Sequence, residues 1–460
     1  MKPQTKDFGI SGVKMAGLGL SVSYVSTDPL VEERPCLRSY PSTFVAKQEL
    51  QVHKVQKQTA SSIRGLSNAD LIRLRADTPG VAHRVHLNNA GAALMPSPVV
   101  DGMIAYLRRE AEIGGYEASA ESTGRLEGVY DSIARLVGSK REEIALAENA
   151  TLAWQRAFYS LRFGPGDRIL TSSAEFAANY VALLQVARRT GARVEVIPDD
   201  ANQVLDPQAL ERMIDRRVRL IAVTWIPTNG GLVNPAEAVG RIARAHSVPY
   251  LLDACQAVGQ IPVDVRALGC DMLTATGRKF LRGPRGTGFL YMRGDFLKDI
   301  EPAMIDLFGA PWVGPERYEL RPDARRFETW EANYAARLGL GIAADYALSI
   351  GIERIEQRCR QLANELRAAL GTVPGVLLYD LGERPASIVS FSVRGTVASE
   401  VKCNLARQNI NVSVSPPTST PLDAARRGLP DIVRASPHYY NTIDEVHNLA
   451  SAVKGIAASS

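Results

Sequence analysis

The sequence predicts an α/β protein built on a mostly parallel sheet with helices on both faces. Two observations carry this prediction. Between about residues 151 and 293, apolar strand segments such as DRILTSS and VRLIAVTWIP alternate with amphipathic helical segments such as AEAVGRIARAHS, a pattern typical of parallel sheets. The last strand segments, PYLLDA, CDMLTATG and GTGFLYMR, follow one another closely, so at least one of them is expected to run antiparallel.

The segments before this region are mainly helical. SNADLIRLRAD is predicted to begin a helix, with Ser67 or Asn68 as its cap. A short strand, RVHLNN, leads into small residues, and two helices follow, SPVVDGMIAYLRREAE and STGRLEGVYDSIARLVG. Within the alternating region, the remaining helices are predicted from about Thr151, in NYVALLQVARRTG and in LDPQALERMIDR, and the remaining strand in RVEVIP.

After about Glu331 the pattern changes to a long helical stretch, then the short strands SIVSFSV and NINVSV, the helix SEVKCNLARQ and a closing helix. This composition predicts a smaller α+β domain over residues 331–460. Residues 65–330 are predicted to form the large domain, with their N-terminal segment packing on the small one. Residues 1–64, rich in Ser, Thr, Lys and Gln without steady periodicity, are predicted to be a poorly ordered extension.

Composition excludes several classes of protein. Charged residues make up 22% of the chain and are scattered, with a net charge of only +5, so we expect no nucleic-acid partner. Five cysteines without a CxxC pair argue against a disulfide framework or a metal site and favour a reducing compartment. No apolar run is long enough to predict a membrane span, and no secretory signal is evident, so we expect a cytoplasmic protein.

Three polar residues follow two neighbouring predicted strands. Asp253 ends the apolar segment YLLD, Gln256 lies three residues later, and Lys279 follows the next strand. In an open α/β sheet the carboxyl ends of the strands face the ligand crevice. Taken alone, Asp253 could equally well be a helix cap, and Lys279 could be a solvated surface lysine. Together they suit pyridoxal phosphate, whose pyridine nitrogen pairs with an aspartate and whose aldehyde forms a Schiff base with a lysine.

A phosphate group needs a helix N-terminus or hydroxyl and guanidinium donors. Thr276 and Arg278 lie beside Lys279 and are predicted to contact the phosphate. The segment AENATLAWQRA opens a helix at Ala150 and Thr151, which is a second candidate for the phosphate site. By itself this segment indicates only an ordinary helix start.

Several segments, in this order, resemble the class V aminotransferase family of fold-type I pyridoxal phosphate enzymes. The resemblance is strongest to the cysteine desulfurase and selenocysteine lyase branch and to isopenicillin N epimerase-like relatives, and it extends from about Arg84 to Ile456. It implies a fold-type I architecture with a seven-stranded-type sheet, which makes residues 65–330 the cofactor-binding domain. The segments are HLNNAGAALMPSPVV, ENATLAW, SSAEFAANYVAL, PTNGGLVNP, LLDACQAVGQIPVDVRALGCD, TGRKFLRGPRGTGFLY, RRFETWEAN and VRASPHYYNT.

The resemblance also implies roles for individual residues. Lys279 would be the Schiff-base lysine and proton carrier, and Arg434 would bind the substrate carboxylate. Asn89 and Ala92, in the loop after the first strand, would lie at the substrate. The implied cofactor contacts are Asp253 at the pyridine nitrogen, Gln256 at the ring oxygen, Phe176 against the ring, Ala150, Thr151, Thr276 and Arg278 around the phosphate, and Thr228 or Asn229 near the ring oxygen or substrate.

Two departures from the desulfurase pattern bear on the reaction. Phe176 stands where desulfurases have a histidine, so that position stacks but moves no proton. The segment NINVSVSPPTSTPLD, which matches the loop of the reactive desulfurase cysteine, contains none. Cys403 lies on the preceding predicted helix, where it suits a small helix residue. Persulfide formation on the protein is therefore not expected.

These points favour a C–S β-lyase that acts on cysteine, cystine or a cysteine sulfoxide and forms no persulfide on the protein. An aminotransferase or an amino-acid epimerase of the same family remains open, because both begin with removal of the same α-proton. A non-catalytic relative that only binds the cofactor is the alternative of another class. The resemblance also implies a homodimer with an amino-acid substrate.

Overall fold

The computed structural model describes residues 64–459, which lie within one compact unit, Ile63–Ser460. The predicted N-terminal extension, except for Arg64, lies outside the described residues. The boundary at residues 330 and 331 stays a prediction, because no division is found there.

The strands of the described part are, in chain order, β1 (Val85–His86), β2 (Ile144–Ala147), β3 (Arg168–Thr171), β4 (Arg193–Val196), β5 (Val218–Thr224), β6 (Tyr250–Asp253), β7 (Met272–Thr276), β8 (Gly288–Met292), β9 (Trp312–Gly314), β10 (Arg317–Tyr318), β11 (Val376–Leu378), β12 (Val389–Val393), β13 (Ile410–Asn411), β14 (Ser413–Ser415) and β15 (Ile432–Ala435).

The α-helices of the same part are α1 (Asn68–Ala76), α2 (Asn89–Ala92), α3 (Ser97–Ile113), α4 (Gly115–Glu121), α5 (Thr123–Val137), α6 (Ala150–Tyr159), α7 (Ala177–Thr190), α8 (Pro207–Met213), α9 (Ala236–Ala245), α10 (Val265–Leu268), α11 (Gly294–Leu297), α12 (Tyr334–Ile350), α13 (Ile352–Gly371), α14 (Ala398–Arg407), α15 (Pro421–Arg427) and α16 (Ile443–Ala458).

A seven-stranded sheet forms the centre of the described chain, in the order β2-β8-β7-β6-β5-β3-β4. Strand β8 runs antiparallel to both neighbours, and the other neighbouring pairs are parallel. The predicted fold class and the predicted antiparallel strand are thus confirmed. Strand β2 was not predicted, since its sequence IALA is short and half alanine, although all four residues are buried.

The carboxyl ends of β5, β6 and β7 meet at one edge of this sheet. Thr224, the last residue of β5, pairs with Asp253, the last residue of β6, and Asp253 pairs with Thr274 of β7. Apolar residues fill the strands behind this edge, and Leu251, Leu252 and Leu273 have no exposed surface. The sequence therefore places polar side chains only where the buried strands end.

A second sheet, β11-β12-β15-β14, is antiparallel throughout. Its apolar side packs on helices α13, α14 and α16, in a separate core that includes Leu366, Phe391, Leu405, Val433 and Leu449. Strand β1 pairs in parallel with β13, which brings the start of the described chain against this part. The smaller α+β arrangement is therefore present, and β1 contributes to it from a distance in sequence.

The predicted long helical stretch is two helices. Helices α12 and α13 meet at an angle of 80° across Gly351, which has a φ of +93°. Only glycine adopts this backbone region at little cost. The sequence SIGIER conceals the break because its apolar periodicity continues on both sides.

One stretch of the described residues, Asn89–Ile113, is long and apolar enough to cross a membrane by length and composition. It is interrupted between α2 and α3, where Pro96 precedes the second helix. Val99 and Tyr106 of α3 are buried in the protein core. The window that passes is 22% buried, and the bent pair α12 and α13 passes the same test if it is counted as one span. The absence of a membrane partner stays a prediction.

Candidate active site

A cavity opens at the carboxyl ends of β5, β6 and β7, beside the first turn of α6. Nine of the residues predicted to bind the cofactor line it: Ala150, Thr151, Phe176, Thr228, Asp253, Gln256, Thr276, Arg278 and Lys279. These residues come from five separate segments of the sequence, so the fold brings them together as the strand-end pattern predicts.

Asp253 is a buried carboxyl group at the base of this cavity. Its Oδ2 accepts a hydrogen bond of 2.9 Å from Asn179 Nδ2, and its Oδ1 accepts one of 2.9 Å from the backbone N–H of Cys255. Among residues 64–459, no lysine, arginine or histidine forms an ion pair with it. A buried carboxylate without a cation is costly, so the site favours a ligand that brings a positive charge.

Lys279 follows β7 and is the amine of the cavity. Burial lowers the pKa of Lys279, the charges of Arg278 and Arg434 act in the same direction, and Cys255 and Asp253 oppose them. No hydrogen bond or ion pair within the described part of the chain engages its Nζ. A lysine with a lowered pKa has a larger neutral fraction, and the neutral amine is the form that attacks a carbonyl carbon.

The first turn of α6 forms one wall of the cavity. Asn149 caps this ten-residue helix, because its Oδ1 accepts a 2.9 Å bond from the backbone N–H of Leu152. Gly288 of β8 lies directly behind: a Cβ there would come within 2.9 Å of Ala150 N. Glycine is therefore needed for the helix to approach the sheet, and the amides of Ala150 and Thr151 face the cavity as anion donors.

Arg278 lines the cavity together with this helix start and supplies positive charge there. Burial lowers the pKa of Arg278, and the charge of Arg285 adds to the effect. Arg278 donates to the carbonyl of Gly91, and neither arginine pairs with a carboxylate in the described residues. The hydroxyl of Thr276 donates at 3.3 Å to the carbonyl of Thr287. Unpaired guanidinium groups beside a helix N-terminus favour a phosphate.

Two buried amide oxygens near the cavity have no partner in the described structure, Gln256 Oε1 and Asn229 Oδ1. Their amide nitrogens donate to Ala90 O at 3.2 Å and to Thr420 Oγ1 at 3.3 Å. Unsatisfied buried polar atoms are costly, so a polar ligand at this site would stabilise the protein.

Pyridoxal phosphate fits this set of groups. Asp253 suits its ring nitrogen, Lys279 its aldehyde, and the first turn of α6 with Arg278 its phosphate. Phe176, in the cavity wall, offers a ring for stacking. The residues that sequence reasoning placed at the cofactor are therefore chemically suited to hold it.

Arg434 lies on β15, in the second sheet, and only 8% of its surface is exposed. Its Nε donates at 3.1 Å to Ser413 Oγ, and its Nη1 donates to the carbonyl and the hydroxyl of Thr228, a cavity residue. Burial, and then the charge of Arg278, lowers the pKa of Arg434 to about 10. This buried cation has no carboxylate partner among residues 64–459, which suits it to bind a substrate carboxylate.

The structure places Asn89 and Ala92 outside the cavity lining. Asn89 is fully buried: its Nδ2 donates to Ser436 O at 2.7 Å, and its Oδ1 accepts from the Tyr440 hydroxyl. The carbonyl of Ala92 accepts from His86 Nε2 at 2.9 Å. The Asn89 bonds join α2 to the segment after β15, whereas the Ala92 bond joins α2 to β1. Substrate contacts by either residue stay a prediction.

Sequence reasoning missed four cavity residues, Asn179, Thr224, Ile226 and Cys255. Cys255 could have been found from its place two residues after Asp253. Burial raises the pKa of the Cys255 thiol, and Asp253 raises it further. Asn179 lies four residues after Glu175, in the first turn of α7. Whether its side chain reaches Asp253 depends on how α7 packs on the sheet, which the sequence alone does not show.

Known proteins resemble this chain along most of its length. A family model described as aminotransferase class-V matches residues 85–449. A probable cysteine desulfurase from Methanothermobacter thermautotrophicus is 30% identical over 391 residues, covering 84% of this chain and 97% of the relative. A cysteine desulfurase from Yersinia pestis is 31% identical over 416 residues, covering 85% and 98%.

Among solved structures, the apo cysteine desulfurase from Thermococcus onnurineus aligns with a TM-score of 0.80 and 27% identity, over 87% of this chain and all of the other. Family, fold and site chemistry thus agree. The chain belongs to the aminotransferase class-V family, and it is a pyridoxal-phosphate-dependent enzyme.

Proposed function

We propose that this enzyme is a C–S β-lyase for cysteine, cystine or a cysteine sulfoxide, and that it forms no persulfide on its own chain. The proposal is supported by Lys279 and Asp253 in the lining of one cavity, by Arg434 bonded to Thr228 of the same lining, and by the lack of a cysteine in the segment NINVSVSPPTSTPLD. The desulfurase names of the relatives support C–S bond cleavage as the reaction class.

Each of these residues has one task. Bound pyridoxal phosphate supplies an electron sink for the α-carbon of an amino acid. Arg434 orients the substrate through its carboxylate, as a guanidinium binds carboxylates in a fixed geometry. Lys279, whose burial lowers the pKa of its amine, would accept the α-proton at Nζ. Asp253 would keep the ring nitrogen protonated, and the electron pair left at the α-carbon would form a bond to Cβ and expel the thiolate or sulfenate.

The segment that matches the desulfurase cysteine loop makes side-chain hydrogen bonds near its end. Thr420 is buried and accepts from Asn229. Asp423 is also buried, and it accepts from Arg426 at 3.1 Å and from Arg427 at 3.2 Å. The Thr420 bond ties the residue before α15 to Asn229, whereas the bonds of Asp423 stay within α15. An anchored segment of this kind is less suited to carry sulfur than a mobile loop.

The two other cysteines relevant to sulfur transfer are poorly suited to it. Cys403 is exposed on α14 and does not line the cavity. Cys255 lines the cavity, but burial and Asp253 raise the pKa of its thiol. The thiolate is the nucleophile in persulfide formation, so a raised pKa disfavours this reaction at Cys255.

Product analysis tests the reaction type. Purified enzyme mixed with cystine, cysteine or a cysteine S-oxide is expected to release pyruvate and ammonia without an added keto acid. Cys403→Ala is expected to retain activity within about twofold, because this residue is remote from the cavity wall. Mass spectrometry after turnover is expected to find no added sulfur on Cys255.

Three outcomes would contradict the proposal. Turnover only with a keto acid would indicate an aminotransferase, and racemised substrate without pyruvate would indicate an epimerase. A more than tenfold loss in Cys403→Ala with full cofactor content, or sulfur on Cys255, would indicate a persulfide route.

Arg434→Lys tests the carboxylate site. A lysine keeps the charge but loses the planar pair of donors, so we expect kcat/KM for the amino acid to fall about 100-fold with cofactor content unchanged. The matched control is a substrate without the carboxylate, cystamine in place of cystine. The low turnover of cystamine is expected to be equal in the wild type and in Arg434→Lys. A 100-fold loss with cystamine as well would show that Arg434 does not act through the substrate carboxylate.

We also propose that the enzyme is a homodimer. The segment from Met304 to Tyr318 exposes several large apolar side chains, among them Leu307, Trp312 and Val313. A contiguous exposed apolar patch is typical of a protein interface. Analytical ultracentrifugation at micromolar concentration is expected to give twice the chain mass, shifting toward one chain mass in Trp312→Glu. A monomeric wild type would contradict the proposal.

A further inference from the structure

A second buried carboxyl group lies behind Asp253, and the mechanism above gives it no task. Glu175 precedes α7 and is 3% exposed. In all the hydrogen bonds found for Glu175 in the described structure, its two side-chain oxygens are the acceptors. The donors are Thr224 N, Thr224 Oγ1, Phe176 N, Thr171 Oγ1 and Asn179 Nδ2.

Asn179 joins this carboxyl group to Asp253. Its Nδ2 donates at 2.9 Å to Glu175 Oε1 and at 2.9 Å to Asp253 Oδ2. Both N–H groups of the amide are therefore used, each by a carboxyl oxygen. Because both partners are acceptors, the amide has one favoured orientation, and the two carboxyl oxygens lie within twice this distance of each other.

The surroundings of Glu175 bear on its charge. Burial raises the pKa of Glu175 to about 7, and the charge of Asp253 acts in the same direction, while the bonds from Thr224, Asn179 and Phe176 oppose them. The start of α7 directly after Phe176 favours a negative charge. A positive charge on a ligand beside Asp253 would lower this raised pKa of Glu175, so cofactor binding and ionisation of Glu175 would support each other.

We propose that Glu175 is a positioning residue that acts through Asn179, fixing the Asp253 carboxylate and increasing its attraction for a positive charge on the cofactor ring. The Glu175 carboxylate lies too deep to touch the cofactor. Its electric field acts on Asp253, to which the Asn179 side chain joins it by two hydrogen bonds. Such supporting partners of a ligand-binding group commonly change affinity by about 10-fold to 100-fold. The inference concerns the cofactor and is independent of which substrate the enzyme cleaves.

Glu175→Gln and Asn179→Ala test the inference, singly and combined, in the full-length protein reconstituted with pyridoxal phosphate. Glu175→Gln keeps the shape and removes the charge, whereas Asn179→Ala removes the bridge and leaves the other four donors of Glu175 in place. The readouts, taken without substrate, are the dissociation constant of the cofactor and the visible absorption spectrum of the bound cofactor across pH. Failure of the lyase proposal would leave both readouts unaffected.

Each single variant is expected to weaken cofactor affinity about tenfold and to shift the pH at which the absorption spectrum changes. The double variant is expected to match Asn179→Ala alone, because without the bridge the charge of Glu175 acts weakly. Glu195→Gln on β4, a carboxylate that pairs with Arg168 at the sheet edge, is the control and is expected to leave the spectrum unchanged.

The inference is overturned if the effects of the two variants add, or if both variants keep the wild-type affinity and spectrum. It is also overturned if the variants lower only the urea concentration of half-unfolding of the apoprotein, since that describes a purely structural residue. If Glu175→Gln does not fold, Asn179→Ala alone tests the inference, through the dissociation constant of the cofactor and its absorption spectrum across pH.

Discussion

The buried carboxylate of Asp253 is the constraint on which the rest of the site depends. It ends an apolar strand in the middle of the sheet, it accepts two hydrogen bonds, and no cationic side chain in the described residues neutralises it. Such a group is retained at a cost unless a ligand supplies the missing charge. A protonated ring nitrogen of pyridoxal phosphate would supply this charge, and Lys279 and the first turn of α6 line the same cavity, where they would take the aldehyde and the phosphate.

The two sheets divide the chemistry between them. The seven-stranded sheet would hold the cofactor through Asp253 and Lys279, at strand ends where a parallel arrangement leaves an open crevice. The second sheet contributes Arg434, whose guanidinium reaches the first part only through Thr228. In the proposed mechanism, substrate and cofactor are held by different sheets, and the buried Arg434, which has no carboxylate partner among the described residues, would favour ligands with a carboxylate.

The sequence predicted the strand-end residues well and the supporting residues poorly. Asp253 and Lys279 could be found because the apolar strands are recognisable in the sequence, and these two polar residues stand where the strands end. Arg434 came from family resemblance alone, since nothing local distinguishes it from a surface arginine. Asn179 and Glu175 were missed because their direction depends on how α7 packs on the sheet. The break at Gly351 was missed because it is a backbone feature that leaves the apolar pattern intact.

The most direct test of the central claim is chemical reduction of the purified holoenzyme with borohydride, followed by peptide mass spectrometry. The account predicts that the cofactor becomes fixed on the peptide that contains Lys279, that Lys279→Ala yields no labelled peptide, and that Lys298→Ala, which removes an exposed lysine, is labelled as the wild type is. A label on another lysine, or none in reconstituted wild-type protein, would contradict it.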